Sequence, residues 1–473
     1  MIEFGEFKKY FNNNFWKRFH QKVVFFPILL SSEKEEIIET LYNDLLNKKY
    51  YPSIPRAYIF ENKGKGVTRK VPVFEIKDYC LYYYCVKRLE KKIAYNRVDN
   101  TFGGWSLGGV FRKSEDEEMK FRTETHNSFE DELANYHGVS LAEYSFNPTA
   151  WSKAYGDFSS KLYASTQEAS YKYAVELDIS NFYDCIRLDL LEIWIREVAS
   201  KDNAEDISVL FHFLNYWNRE SNKYDKQTVG VPQDAFADCS RILANFYLQR
   251  HDQYTYELCE INQCRYLRYA DDQFIFGESK EKLEYLIYLI SVNLSKFGLN
   301  LNQKKVKYWE IDELTEHRSF KLFDLAKDKE DRKNKENVEK FLDSYFYIRD
   351  SGLEDSLKKR GISLLRKALL CDLSIVSLDR RIKTLGYALE EDFLRKAEKN
   401  YLKRIYENLD TDEKKQEFIN QLKTLANEAF YNSIHFRIKS FFEDLKIDTK
   451  EIDERIDFLN NREPKYESGV EFI

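Results

Sequence analysis

Three aspartates occupy positions from which carboxylates can do metal chemistry. Asp178 closes the run Tyr173-Ala-Val-Glu-Leu-Asp178, and Asp271 and Asp272 sit side by side between two aromatic and apolar runs, Cys264–Ala270 and Gln273–Gly277. The first run is apolar with one interrupting Glu, the pattern of a buried strand that delivers a carboxylate at its tip. The second arrangement reads as two short strands with a tight acidic turn between them, a hairpin. If these strands are neighbours, the three carboxylates meet at one edge of a sheet. Hard oxygen ligands of this kind suit Mg²⁺, and two such ions about 4 Å apart can activate an attacking hydroxyl and stabilise a leaving pyrophosphate. An Asp-Asp pair in a turn is also what an ordinary turn contains, so the surrounding text has to decide.

The elements that position these residues belong to a chain with ample material for a core. It has 473 residues, 43% of them hydrophobic, which argues against disorder and allows roughly three domain-sized units. Its 16 Gly and 7 Pro are well under the usual ~7% and ~5%, which disfavours turn-rich sandwiches and propellers and favours long helices. Aromatic residues reach 16%, consistent either with compositional drift or with stacking surfaces. Net charge is −6, against a general grip on long duplexes, since that affinity comes from neutralising phosphates with Lys and Arg. Basic residues are instead local: Lys63, Lys65, Arg69 and Lys70 in one turn, Lys87 to Lys92 on the next helix, and Lys304, Lys305 and Lys307. That distribution predicts nucleic acid held in one groove. The 7 Cys and 7 His form no metal-ligand spacing, so neither a structural zinc nor a disulfide framework is expected and a reducing cytoplasm fits. The acidic, aromatic start MIEFGEFKKYF lacks the basic and apolar regions expected of a signal peptide, and no apolar run approaches the ~20 residues that span a bilayer.

Along the chain, Ser32 to Asn47 reads as a helix with Ser32 as cap and Glu35 completing a capping box. A basic turn follows at Asn62–Val67, then a short strand at Val71–Ile76 and a helix beginning at Asp78 whose basic residues lie mostly off its apolar face. Residues 112–132 are acidic with no apolar period and read as a surface insertion. Further helices are expected at Leu188–Val198, at Phe236–Tyr247, and at Glu281–Phe297, the last stopped by Gly298. Past residue 325 the text is helical only.

Taken in order, Tyr173-Ala-Val-Glu-Leu-Asp178-Ile-Ser-Asn-Phe-Tyr-Asp, Gly230-Val-Pro-Gln, Arg268-Tyr-Ala-Asp-Asp and Phe297-Gly-Leu-Asn-Leu-Asn-Gln-Lys-Lys resemble palm motifs A, B, C and D of reverse transcriptases. Upstream, Arg69-Lys-Val-Pro-Val-Phe-Glu-Ile-Lys-Asp78 resembles the fingers motif that precedes them. The resemblance spans residues 60–310 and implies an α+β fold: right-hand polymerase fingers and palm, an antiparallel sheet with packed helices, followed by an all-α C-terminal domain in place of a conventional thumb. The corresponding domains are 1–55, an N-terminal helical extension, 56–325, fingers and palm, and 326–473, all-helical. It further implies that Asp178 and Asp271 ligate two Mg²⁺ ions, or Mn²⁺, with Asp272 and the Ile179 carbonyl contributing. Tyr183 would be the aromatic gate that excludes a 2′-hydroxyl and so selects dNTPs, an assignment Ala270 supports, with Phe182 as its core-facing neighbour. Gln233 would lie near nucleotide and template, Lys65 and Arg69 would hold the triphosphate, and Lys305 would serve the leaving pyrophosphate.

The sequence also departs from that pattern. Asp234 stands where Gly commonly follows the motif B Gln, an acid beside expected phosphate, and no Phe-Leu-Gly primer-grip hairpin follows Lys307. Asn100-Thr-Phe-Gly-Gly-Trp, Asn147-Pro-Thr-Ala-Trp151, Ser240-Arg-Ile-Leu-Ala-Asn and the helical C-terminal part resemble the bacterial abortive-infection and unknown-group reverse transcriptases of phage defence. This narrower resemblance implies RNA-directed DNA synthesis with a non-coding RNA partner, a DNA product, no membrane, and self-assembly into homo-oligomers. Two other readings stay open. One is protein-primed, untemplated synthesis, for which Tyr466 is a candidate primer among 34 tyrosines. The other is an inactive palm used only to bind RNA.

Overall fold

The computed structural model describes residues 2–462 apart from 24–25, 65, 94–97, 104–106, 108, 114–118, 124–149 and 351–354. Met1–Tyr58 and Val71–Leu314 form one compact unit, and Ile59–Lys70 with Thr315–Ile473 form a second.

The first unit is organised around the helix Ile76–Ile93, in which Tyr79 through Val86 are all buried. Its apolar period had suggested one buried face, but the structure covers it on all sides. Lys87, expected on a basic surface, is instead buried, donating to Glu90 Oε2 at 2.6 Å and to the Leu107 carbonyl at 3.2 Å. Arg88 pairs with Asp206 at 3.1 Å. A charge at the depth of Lys87 is tolerated only when paired, and Arg88, half-buried, is likewise engaged within the protein. Asp78 does not cap the helix, which begins at Ile76. Its fully buried carboxylate accepts from Tyr50 Oη at 2.8 Å and Ser53 N at 3.0 Å, and burial pushes its pKa up against the pull of those bonds.

Aromatic side chains fill the space beside this helix. Phe7, Phe11, Phe15 and Phe19 recur every fourth residue through the helix Phe4–Lys8, the 3₁₀ turn Lys9–Phe11 and the helix Asn13–Lys22, and all are buried. Phe7 meets Tyr84 and Phe15 meets Tyr83, each at 4.6 Å between centroids, and Phe19 meets Tyr79 at 5.5 Å. Such pairs contribute about 0.5–1.5 kcal/mol each beyond their buried area. Core packing therefore accounts for part of the aromatic excess. The following helix runs Ser31–Leu46, one residue earlier than its sequence suggests. Glu33, not Glu35, accepts the Leu30 N–H at 2.6 Å, while Glu35 pairs with Lys8.

Nine strands are described: β1 Ala57–Gly64, β2 Val67–Val73, β3 Thr101–Phe102, β4 Gly109–Lys113, β5 Met119–Thr123, β6 Tyr173–Asp178, β7 Arg265–Tyr269, β8 Asp272–Gly277 and β9 Lys307–Glu310. β1 pairs with β2, and β4 with β5, so part of the expected acidic insertion is a two-stranded hairpin. The remaining five make one sheet in the order β3-β7-β8-β6-β9, antiparallel except for the β3–β7 edge. Alternation sorts its faces. Phe274 packs against Phe158 of the helix Ala150–Thr166 at 6.0 Å. On the other face, Arg268 and Gln273 are directed at the helix Asp238–Ile261, through Asp252 and His251 respectively. That helix is longer than its apolar period indicated. The helix Leu188–Val198 is as expected, and the helix Lys280–Lys296 ends before Gly298, whose φ of +75° suits glycine.

In the second unit, helices from Phe320 to Arg462 share one apolar core that includes Phe341, Tyr345, Leu364, Leu402, Phe418, Ile434 and Phe442. Lys335–Asp350 and Asp355–Leu370 pack as a helical pair, and Arg380 bridges to Asp343 at 2.8 Å. Among the described residues no helix is long and apolar enough to cross a membrane, and all seven cysteines are free thiols.

Candidate active site

The register of the central strands brings two of the three aspartates together. Asp178, last residue of β6, stands directly opposite Asp272, first residue of β8. Across the other edge of β6, Asn302 N donates to the Asp178 carbonyl at 2.8 Å and Ser180 N to the Asn300 carbonyl at 2.8 Å. Ile179 therefore faces Leu301 as a pair that is not itself hydrogen-bonded. By alternation, the Ile179 carbonyl is directed to the side of β6 where β8 lies. Asp178 and Asp272 then form a non-hydrogen-bonded cross-strand pair, the type with Cα atoms about 4.5 Å apart and side chains closer. Asp178 is 5% exposed, Asp271 is half-buried in the turn, and Asp272 is exposed.

A cation is already at this edge. Lys305 Nζ lies 2.7 Å from Asp178 Oδ1, and Asn302 Nδ2 lies 3.3 Å from Oδ2. Burial lowers the Lys305 pKa, but the hydrogen bond and charge of Asp178, with Asp272 and Asp271 adding, raise it overall. One ammonium thus feels all three carboxylates. The loop bearing Lys305 is anchored where it leaves the preceding helix: Tyr247 Oη donates to the Phe297 carbonyl at 2.6 Å, and a Cβ on Gly298 would come 3.1 Å from Arg187 Cδ.

The acidic turn is fixed from beneath by a buried polar network. Arg268, 0% exposed, donates from Nε and Nη2 to the two Asp252 oxygens at 2.7 and 2.6 Å, and from Nη1 to Asn245 Oδ1 at 2.8 Å and the Ala270 carbonyl at 2.7 Å. Tyr266 Oη donates to Asp252 at 2.9 Å, and Gln273 Oε1 lies 3.0 Å from His251 Nε2. Burial holds His251 below its ordinary pKa, with Asp252 and Gln273 opposing, so its imidazole stays neutral at neutral pH. Sequence reasoning missed Arg268 as a site residue, along with Asp252, Asn245 and Asn302. The available signal was polar side chains at inward positions of otherwise apolar strands and helix faces.

Tyr183 and Gln233 come from two segments stitched together. Val231 N donates to the Tyr183 carbonyl at 3.0 Å, Gly230 N to Ile186 at 2.7 Å, and Leu188 N to Thr228 at 2.9 Å. Gly230 adopts φ +92°, and a Cβ there would meet the Asp184 carbonyl at 3.4 Å. Phe182 is buried whereas Tyr183 and Gln233 are half-buried. Asp234 has an internal role: Oδ1 accepts from Phe236 N at 2.8 Å and Ala237 N at 2.9 Å, closing the turn before the helix Asp238–Ile261. It is buried, and burial pushes its carboxyl up to about 6. The acid that seemed misplaced beside phosphate is therefore a turn cap facing the protein interior.

Three expected site residues fall outside the first unit's described residues. Arg69 is exposed on β2, 4.0 Å from Glu61, in the part of the hairpin that belongs to the second unit. Lys65 and Tyr466 lie outside the described residues.

Among the described residues no group of three or more His, Cys, Asp or Glu side chains is gathered as a metal cage. The Asp178 carboxylate is engaged by Lys305 and Asn302 instead. In chemical type the donors do fit a hard divalent cation: carboxylate oxygens outnumber the single ammonium, and the Ile179 carbonyl is directed to the same side.

Comparison with known proteins identifies a family. Residues 121–369, more than half of the 473-residue chain, match the family described as reverse transcriptase (RNA-dependent DNA polymerase). The matched span holds all three aspartates, Tyr183, Gln233 and Lys305, and begins after Arg69–Asp78. Similar solved structures include an apo telomerase from Candida tropicalis, 12% identical, covering 66% of this chain and 55% of that one with TM-score 0.28. Another is a telomerase from the same organism in complex with a TWJ fragment of telomeric RNA, 11% identical, covering 73% and 65% with TM-score 0.27. The chain thus spans 55% and 65% of the lengths of these two. No curated protein matches it.

Proposed function

This chain belongs to the reverse transcriptase (RNA-dependent DNA polymerase) family, and we propose that it is a nucleotidyltransferase that copies RNA into DNA at the sheet edge carrying Asp178, Asp271 and Asp272. The observation that carries this reading is the cross-strand pairing of Asp178 with Asp272, with Lys305 seated on Asp178.

Reverse transcriptase domains generally use divalent metal ions. Asp178, Asp271, Asp272 and the Ile179 carbonyl are the groups that would hold them here, as Mg²⁺ or Mn²⁺, and the bound ions would supply Lewis-acid stabilisation of charge on phosphoryl oxygens. The chain's own residues do the rest. Lys305 carries a positive charge and a transferable proton to the place where pyrophosphate leaves. Tyr183 presents a ring, on a loop pinned by Val231, where the sugar of an incoming dNTP would lie. Gln233 lies on the loop stitched to it, and Lys65 and Arg69 are the residues we assign to the triphosphate.

The finer reading is a cytoplasmic antiphage-defence enzyme that works as a homo-oligomer with an associated non-coding RNA. It is supported by the sequence resemblance and by the helices that run from Phe320 to Arg462. Asp234 no longer favours untemplated synthesis, because its carboxylate is committed to the turn.

The test is to sequence nucleic acid that co-purifies with the protein and to follow dNTP incorporation on that RNA. The expected result is DNA complementary to the bound RNA, lost in Asp271→Ala. Incorporation at wild-type rate in Asp271→Ala would overturn the polymerase reading, and DNA without complementarity to the RNA would overturn templated copying.

A further inference from the structure

The turn between β7 and β8 is a two-residue loop, Ala270–Asp271, closed by the pair Tyr269↔Asp272. Such loops adopt one of two turn types, I′ with positive φ at both central residues, or II′ with positive φ at the first only. Ala270 has φ +53° whereas Asp271 keeps a negative φ, the II′ pattern. Glycine is the low-strain residue at that first position, and an alanine there costs on the order of 1 kcal/mol. The two types differ by a flip of the Ala270–Asp271 peptide, which also re-aims the aspartate that follows.

The Ala270 carbonyl is held by Arg268 Nη1 at 2.7 Å, and the Ala270 N–H by the Phe102 carbonyl at 3.2 Å. Arg268 is itself held on several sides: it is fully buried, doubly bonded to Asp252, and bonded to Asn245. Gly103 leaves room for this clamp, since a Cβ there would come 3.0 Å from Asn245 Nδ2 and 3.5 Å from Ala270 N. We propose that Arg268 is a positioning residue for catalysis: by fixing the Ala270 carbonyl it selects the turn conformation that presents Asp271 and Asp272 to Asp178. The inference rests on the reading of those aspartates given above. Lysine cannot substitute, because one ammonium cannot span a bidentate carboxylate, an amide and a carbonyl in fixed directions.

The experiment compares Arg268→Lys, Ala270→Gly and the double variant in steady-state dNTP incorporation, with thermal unfolding of each. Arg268→Lys is expected to lower kcat by ~10- to 100-fold with dNTP KM changed less than ~3-fold, the signature of misplaced catalytic groups. Ala270→Gly, judged against its own single-variant baseline, is expected to restore most of that loss, because glycine reaches the II′ turn without a clamp. Failure of glycine to restore kcat, or a loss confined to KM, would overturn the proposal. If Arg268→Lys does not fold, Arg268→Met with Asp252→Leu removes both buried charges together, and the same restoration by glycine decides the question. Asp271→Ala is measured alongside. Activity in that variant sinks the polymerase reading, whereas its inactivity beside fully active, folded Arg268 variants sinks only the positioning role.

Discussion

Lys305 Nζ sits 2.7 Å from Asp178 Oδ1, so the strand tip meant to attract cations already carries one supplied by the chain. The lysine side chain is 61% exposed, which makes the pair soft and displaceable, worth less than about 1 kcal/mol. On the proposed reading, a metal ion binding Asp178 would have to move this ammonium aside, leaving it available to meet negative charge on a leaving group.

Lys305→Ala should therefore separate binding from chemistry. Mn²⁺ affinity measured by paramagnetic resonance is expected to rise by ~2- to 5-fold, while kcat for dNTP incorporation falls by ~10²-fold. Weaker Mn²⁺ binding in the variant would contradict the competition described here.

Tyr183→Val should relax sugar discrimination. Removing the ring opens space for a 2′-hydroxyl, and the ratio of ribonucleotide to deoxynucleotide incorporation is expected to rise by ~10- to 100-fold. Single-turnover incorporation of each triphosphate measures the ratio. An unchanged ratio would assign Tyr183 to packing alone.

Asp234 gives a pH-dependent stability with a definite sign. Burial raises its carboxyl to about 6 from an ordinary 3.8, against the lowering pull of the Ala237 and Phe236 N–H groups. Between those values the folded protein holds a proton that the unfolded chain has released. Its contribution is therefore fully present below pH ~4 and lost as pH rises through ~6, at most about 3 kcal/mol. Asp234→Asn keeps an acceptor for both N–H groups and buries no charge. Its melting temperature should exceed that of the wild type at pH 7.5 and match it near pH 4. Equal shifts at both pH values would refute the assignment.

The N-terminal aromatic stripe should behave as core. Phe15→Ala, at a 1% exposed position, is expected to cost about 3–5 kcal/mol. Phe430→Ala, at 63% exposed, is expected to change stability by less than about 0.5 kcal/mol. Denaturant midpoints of the two variants provide the comparison.

Local pattern was enough to reveal β6 and the β7–β8 hairpin, because a buried strand and a tight acidic turn each write a short signature. The helix Leu188–Val198 was legible for the same reason. What escaped were relations between distant segments. Arg268 lies sixteen residues from Asp252 in sequence, and only the packing of a long helix against β7 makes them a pair. Lys87 and Arg88 looked like solvent-facing charges because their partners, Glu90 on the same largely buried helix and Asp206 on another, are not signalled by period. Asp234 looked like an intruder for a similar reason: its turn-capping bonds depend on a backbone path that residue type alone does not reveal. The phenylalanines at every fourth position, from Phe7 to Phe19, are legible as a stripe, but a percentage of aromatic residues does not carry their spacing.

The placement of β6 between β8 and β9 makes the site intolerant of a particular kind of genetic change. Both edges of the strand are hydrogen-bonded, so its register is locked from two sides. Adding or deleting one codon within residues 173–178 would exchange the strand's two faces and put an isoleucine or leucine where Asp178 stands. Conservative substitutions at Ala174 or Val175 leave that parity intact. Across this stretch, variation in length should be purged while variation in residue type is partly permitted.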